Sequence, residues 1–70
     1  MGSLSNIQEE LAARLKAARD AIPATQAEVA KALGCSLRSY QEYEAGRAFP
    51  RPATRRRIAV WLEENEAVAA

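Results

Sequence analysis

Apolar residues recur every three or four positions along most of the chain, the spacing of a helix with one buried face. In residues 5–22, Ile7, Leu11, Leu15, Ala18 and Ile22 form one continuous stripe. Ser5 with Gln8 has the spacing of a capping box, and Pro23 disfavours helical geometry at Ile22, so both ends of this first helix are marked. A second helix opens at Thr25, whose capping-box partner is Glu28, and carries Val29, Ala30 and Leu33 on its apolar side. Gly34 then ends it, because a left-handed residue costs glycine nothing at Cβ. Ser36 caps a third helix that Gly46 stops. Arg47 to Pro52, RAFPRP, reads as a linker stiffened by Pro50 and Pro52 and anchored by Phe49. Pro52 suits the first turn of a last helix, running to roughly Glu64 with Ile58, Trp61 and Leu62 as its apolar face and Val60 turned away. The pattern predicts an all-α, compact four-helix fold in a single domain, 1–70, with frayed ends at 1–4 and 66–70. NEAVAA is too short for a further helix, so either the last helix extends or the tail frays.

The second and third helices are joined by only two or three residues and must cross at close range, the helix-turn-helix pattern, here spanning about 25–46. Ala30 is slim enough for the crossing, and Leu33 and Cys35 flank the turn and fill it. At about 100° per residue the third helix, 36–45, divides into two faces. Ser39, Tyr40 and Tyr43 fall on the side that packs, where the tyrosines bury their rings rather than stack on bases. Leu37, Arg38, Gln41, Glu42 and Ala45 fall on the other. A helix that reads base edges in a DNA major groove needs such an outward set of donors, acceptors and an apolar tip. Arg38 suits a bidentate contact to guanine, Gln41 an adenine or a phosphate, Leu37 a thymine methyl and Glu42 a cytosine amine.

The formal net charge is only +1, which by itself argues against a strong nucleic-acid binder. Its distribution changes that. Residues 1–35 balance to zero, residues 36–57 carry +4 and the remaining tail carries −3, giving one face for phosphates and another turned away. With one cysteine and no histidine there is no internal disulfide, no zinc cluster and no histidine-based catalysis. Cys35 lies at the packing point of the turn without a histidine partner, so an enzyme is not expected. Neither a cofactor nor a small-molecule substrate is implied. No apolar run reaches the ~18 residues of a membrane span and no signal-peptide pattern opens the chain, so the expected setting is the cytoplasm.

The string TQAEVAKALG…S…Y..YE.G, with matches at Thr25, Gln26, Glu28, Val29, Ala30, Leu33, Gly34, Ser36, Tyr40, Tyr43, Glu44 and Gly46, resembles the helix-turn-helix of the phage-repressor and Cro-like (Xre) family. The similarity extends from Leu11 to about Leu62. It implies a lambda-repressor-like fold, here without the usual fifth helix. It also implies an ion pair between Arg19, near the end of the first helix, and Glu44, near the end of the recognition helix. Base reading falls by resemblance to Leu37, Arg38 and Glu42, and backbone contact to Gln26. Gln26 also sits among the unpaired N–H groups at a helix start, which attract phosphate. Ser36, Arg47 and Arg51 complete the expected phosphate set. The family usually has apolar residues where this chain has Thr54, Arg55 and Arg56, so the start of the last helix departs from the pattern.

The function expected is a sequence-specific DNA-binding transcriptional regulator, a repressor binding a near-palindromic operator in double-stranded DNA as a homodimer. Its two recognition helices would lie about 34 Å apart. The alternative is a helix-turn-helix protein-interaction module of antitoxin or adaptor type, or the DNA-binding fragment of a larger repressor.

Overall fold

The computed structural model describes residues 4–69, with side chains described for 6–66. Four helices follow one another: α1 (Leu4–Ala21), α2 (Gln26–Leu33), α3 (Leu37–Glu44) and α4 (Pro52–Ala69). α1 lies across α3 and α4, while α2 packs on α3 and α4. The body measures 31 × 26 × 19 Å. Among the described residues no helix is long and apolar enough to cross a membrane.

The signals at both ends of α2 act as expected. Thr25 accepts from the Glu28 N–H at 3.1 Å while Glu28 accepts from the Thr25 N–H at 2.8 Å, a complete capping box. Gly34 ends the helix at φ +71°, and its N–H and that of Cys35 reach back to carbonyls of the last turn. Ser36 accepts from the Ser39 N–H at 3.0 Å and opens α3. α3 ends one residue before Ala45, and the chain leaves through Gly46 at φ +74°. Gly46 lies where α1 passes closest, so that a Cβ there would touch Ala12 and the backbone of Gln8 and Glu9.

The core gathers Leu15 and Ala18 of α1, Val29, Ala30 and Leu33 of α2, Tyr40 of α3, and Ile58 and Leu62 of α4. Leu11, Cys35, Tyr43 and Trp61 close its edges. The α1 stripe is only partly used. Ile7 and Ile22 remain 45% and 46% exposed: Ile22 falls in the turn after α1 ends at Ala21, and Ile7 borders an open groove with Leu11, Phe49, Ile58 and Leu62, while Ala12, off the predicted stripe, is buried against the α3 exit. Helix α1 begins by Leu4, so Ser5 is inside it and the expected Ser5–Gln8 box falls outside the described side chains. The linker is anchored chiefly by Pro50, which is fully buried, rather than by Phe49, which is half-buried under the Arg55 guanidinium at 4.9 Å. At the other end α4 runs past Glu64 to Ala69, so helix extension is the alternative adopted in the tail.

Candidate nucleic-acid interface

The back of α3 is tied down by a partly buried polar cluster. Glu44, its last residue, has a side chain only 7% exposed, and Arg19 of α1 is 17% exposed. The guanidinium grips the carboxylate with two bonds, Nε to Oε2 at 2.8 Å and Nη2 to Oε1 at 2.9 Å, and gives a third to the Ala24 carbonyl at 3.1 Å. The Tyr40 hydroxyl donates to Oε2 and the Gln26 amide to Oε1, the latter at 3.1 Å. Burial pushes the Glu44 carboxyl upward, but bonds from Arg19, Tyr40 and Gln26 outweigh it and hold the group below the usual carboxylate range. Burial and the acceptor role of Glu44 together push the Tyr40 phenol well above its ordinary value.

The cluster also sets the polarity of two amides on the protein surface. An ionised carboxylate only accepts, so Gln26 must turn its NH₂ toward Glu44 and its carbonyl oxygen outward. That oxygen accepts from Gln41 Nε2 at 3.2 Å. A chain of bonds therefore runs from the partly buried Arg19–Glu44 pair through the first residue of α2 to the exposed face of α3.

On that face Leu37 is 43% exposed, and Arg38, Gln41 and Ala45 are exposed as well. Glu42 differs from expectation. Its side chain is one-third exposed and accepts from Arg47 Nε at 2.5 Å, so a residue expected to read bases and one expected on phosphate hold each other. The outward row of α3 lies between two shallow depressions. One is lined by Ser36, Arg38, Glu42, Arg51 and Thr54, the other by Lys16, Gln26, Gln41, Ala45 and Arg47. Each flank thus has one linker arginine. Ser36 shares its hydroxyl with Ser39, both as cap and through a side-chain bond at 3.0 Å.

Two residues join the site that sequence reasoning left out. Lys16 reaches the Gln26–Gln41 flank from α1, and Thr54 borders the Arg38–Arg51 flank. Lys16 was legible in one respect: it is a cation off the apolar stripe, three residues before Arg19. The three consecutive arginines of α4 do separate, as their angular spacing predicts. Arg55 covers Phe49, and Arg57 donates from Nε to the Leu33 carbonyl at 2.8 Å. Arg56 is exposed and lines a third surface with Val60 and Trp61.

Two short helices crossing through a glycine turn, with a buried back and a polar front, define a helix-turn-helix protein. A family model described as helix-turn-helix domain matches residues 10–69, and the chain belongs to that family. No curated protein and no solved structure matches it.

Proposed function

We propose that the protein is a sequence-specific DNA-binding transcriptional regulator of the phage-repressor, Cro-like kind. It acts in the cytoplasm as a repressor that covers a near-palindromic operator, and it has no enzymatic activity. The observation that carries this reading is the division of α3. Tyr40 is fully buried and Glu44 is locked from behind, while Leu37, Arg38 and Gln41 stand in the open together. α3 enters the major groove, Leu37, Arg38, Gln41 and Glu42 face base edges, and Gln26, Ser36, Arg47 and Arg51 face the flanking phosphates. Lys16 adds a cation on the Gln26 side.

Selection of bound sites from a random DNA pool tests the reading. The expected result is a motif with two related half-sites, about one helical turn apart. Arg38→Ala then lowers affinity by about 1–3 kcal/mol at one base position and leaves the others unchanged. Uniform weakening on every sequence would reassign Arg38 to phosphate contact, and a pool without any enriched motif would refute the regulator. The Glu42–Arg47 pair gives some support to a second reading, a protein-interaction module, since it neutralises two groups on the very face that should meet DNA. Binding to random duplex that vanishes with salt and shows no preferred site would favour that module.

A further inference from the structure

We propose that the outer face of α4 is a self-complementary docking surface on which a second copy of this chain packs antiparallel, about a two-fold axis at Val60. The proposal rests on the dimeric reading of the regulator and gives that dimer its interface. Val60 is 56% exposed, more than any other large apolar side chain described. Neither the core nor the DNA-facing side of α3 uses it. It lies in a depression with Ala32 of α2 and Trp61, bordered by Arg56, Arg57 and Glu64.

The charges along this face are ordered. Steps of four residues place 56, 60 and 64 within about 80° of one another on the helix surface, with Glu63 beside them. The face is basic before Val60 and acidic after it. Among the described residues Arg56, Glu63 and Glu64 have no ion-pair partner within 4.0 Å, while Glu66 is already engaged by Arg14 at 2.8 Å. A parallel neighbour would set arginine on arginine. An antiparallel neighbour sets Arg56 against the acidic end of its partner and the reverse, with Val60 on Val60 between them. That is the isologous arrangement a two-fold axis requires, in which one patch serves both chains. The pairing surface is small, so the dimer is expected to be weak in free solution and to tighten on DNA. On DNA this axis must leave the two copies of α3 about 17 Å from it, so that they meet successive major grooves.

The experiment is sedimentation equilibrium of the chain without DNA, up to about millimolar concentration, with charge-reversed variants. Arg56→Glu and Glu64→Arg each place like charges together at both ends and should weaken the dimer by about tenfold or more. Mixing the two variants in equal amounts should restore association, because each then meets its opposite. In a Cys35→Ser background, Val60→Cys should form an intermolecular disulfide when oxidised glutathione is added as the two-electron oxidant, since the two thiols would face each other at the axis. A chain that stays monomeric throughout, or dimerises as tightly in both single variants as in the wild type, or whose Val60→Cys form stays unlinked, would overturn the surface. Circular dichroism of each variant separates these results from misfolding. A monomer that still selects a half-site motif would sink the interface while leaving the DNA reading intact.

Discussion

Removing the carboxylate of Glu44 is the perturbation with the largest structural lever. In Glu44→Ala the Arg19 guanidinium loses both bonds at 2.8 and 2.9 Å, and the Tyr40 hydroxyl and the Gln26 amide lose their acceptor. Breaking a fully buried pair costs about 3–5 kcal/mol, and breaking an exposed one costs about 0–1 kcal/mol. Glu44 is near the buried limit at 7% exposure, but Arg19 keeps 17%, a bond to Ala24 and the Asp20 carboxylate at 3.8 Å. The expected loss is therefore about 2–4 kcal/mol, from a domain whose length implies only about 3–10 kcal/mol in total. The melting temperature should fall by roughly 10–30 °C. Urea titrations followed through the single tryptophan, Trp61, supply the free energies. A double-mutant cycle with Arg19→Met and Glu44→Gln should give a coupling of about 1–3 kcal/mol. The folded Glu44 carboxyl lies below its unfolded value of about 4.3. Its contribution is thus present above that pH and lost as pH falls through the folded value. Wild type should show an acid limb below about pH 4 that is diminished in Glu44→Gln. Coupling under about 0.5 kcal/mol, with identical acid limbs, would refute the view that this pair orients α3.

The remaining predictions concern neighbouring groups. Glu42→Ala releases Arg47 from its partner, so binding to random duplex should tighten and its salt dependence should steepen by about one phosphate contact, as read by fluorescence anisotropy. Gly34→Ala should cost about 1–2 kcal/mol from the left-handed backbone at φ +71° alone, since its Cβ would meet only ordinary contacts with Arg57. A loss much above that in urea titration would indicate a steric clash. Because the Tyr40 phenol is held protonated in the folded state, stability should decline as pH rises from about 10, and Tyr40→Phe should lose that alkaline dependence.

Much of this fold was legible because the signals at element ends are local. Thr25, Gly34, Ser36 and Gly46 each act through their own backbone or through residues one turn away, so spacing alone reveals them. The apolar stripe of α1 misled at its ends. Periodicity shows which residues share a face but not where the helix stops or how closely its neighbours cover that face: Ile22 falls in the turn past Ala21, and Ile7 borders an open groove beside Phe49 and Leu62. The position of Pro50 and the length of α4 depend likewise on tertiary contacts. At the interface, the outward row of α3 followed from angular position. The Arg19–Glu44 pair was expected only through resemblance, for nothing local brings together side chains 25 residues apart. The Glu42–Arg47 bond and the approach of Lys16 required the fold itself.

The bond from Arg57 to the Leu33 carbonyl joins the last helix to the final turn of α2, immediately before the glycine bend. It anchors the near side of the bend to the last helix. With α2 held there and Glu44 fastened to α1 from behind, α3 has little freedom to swing by itself. On the proposed DNA-binding reading, any adjustment to an imperfect groove would come from the double helix bending, or from the whole body tilting as one piece.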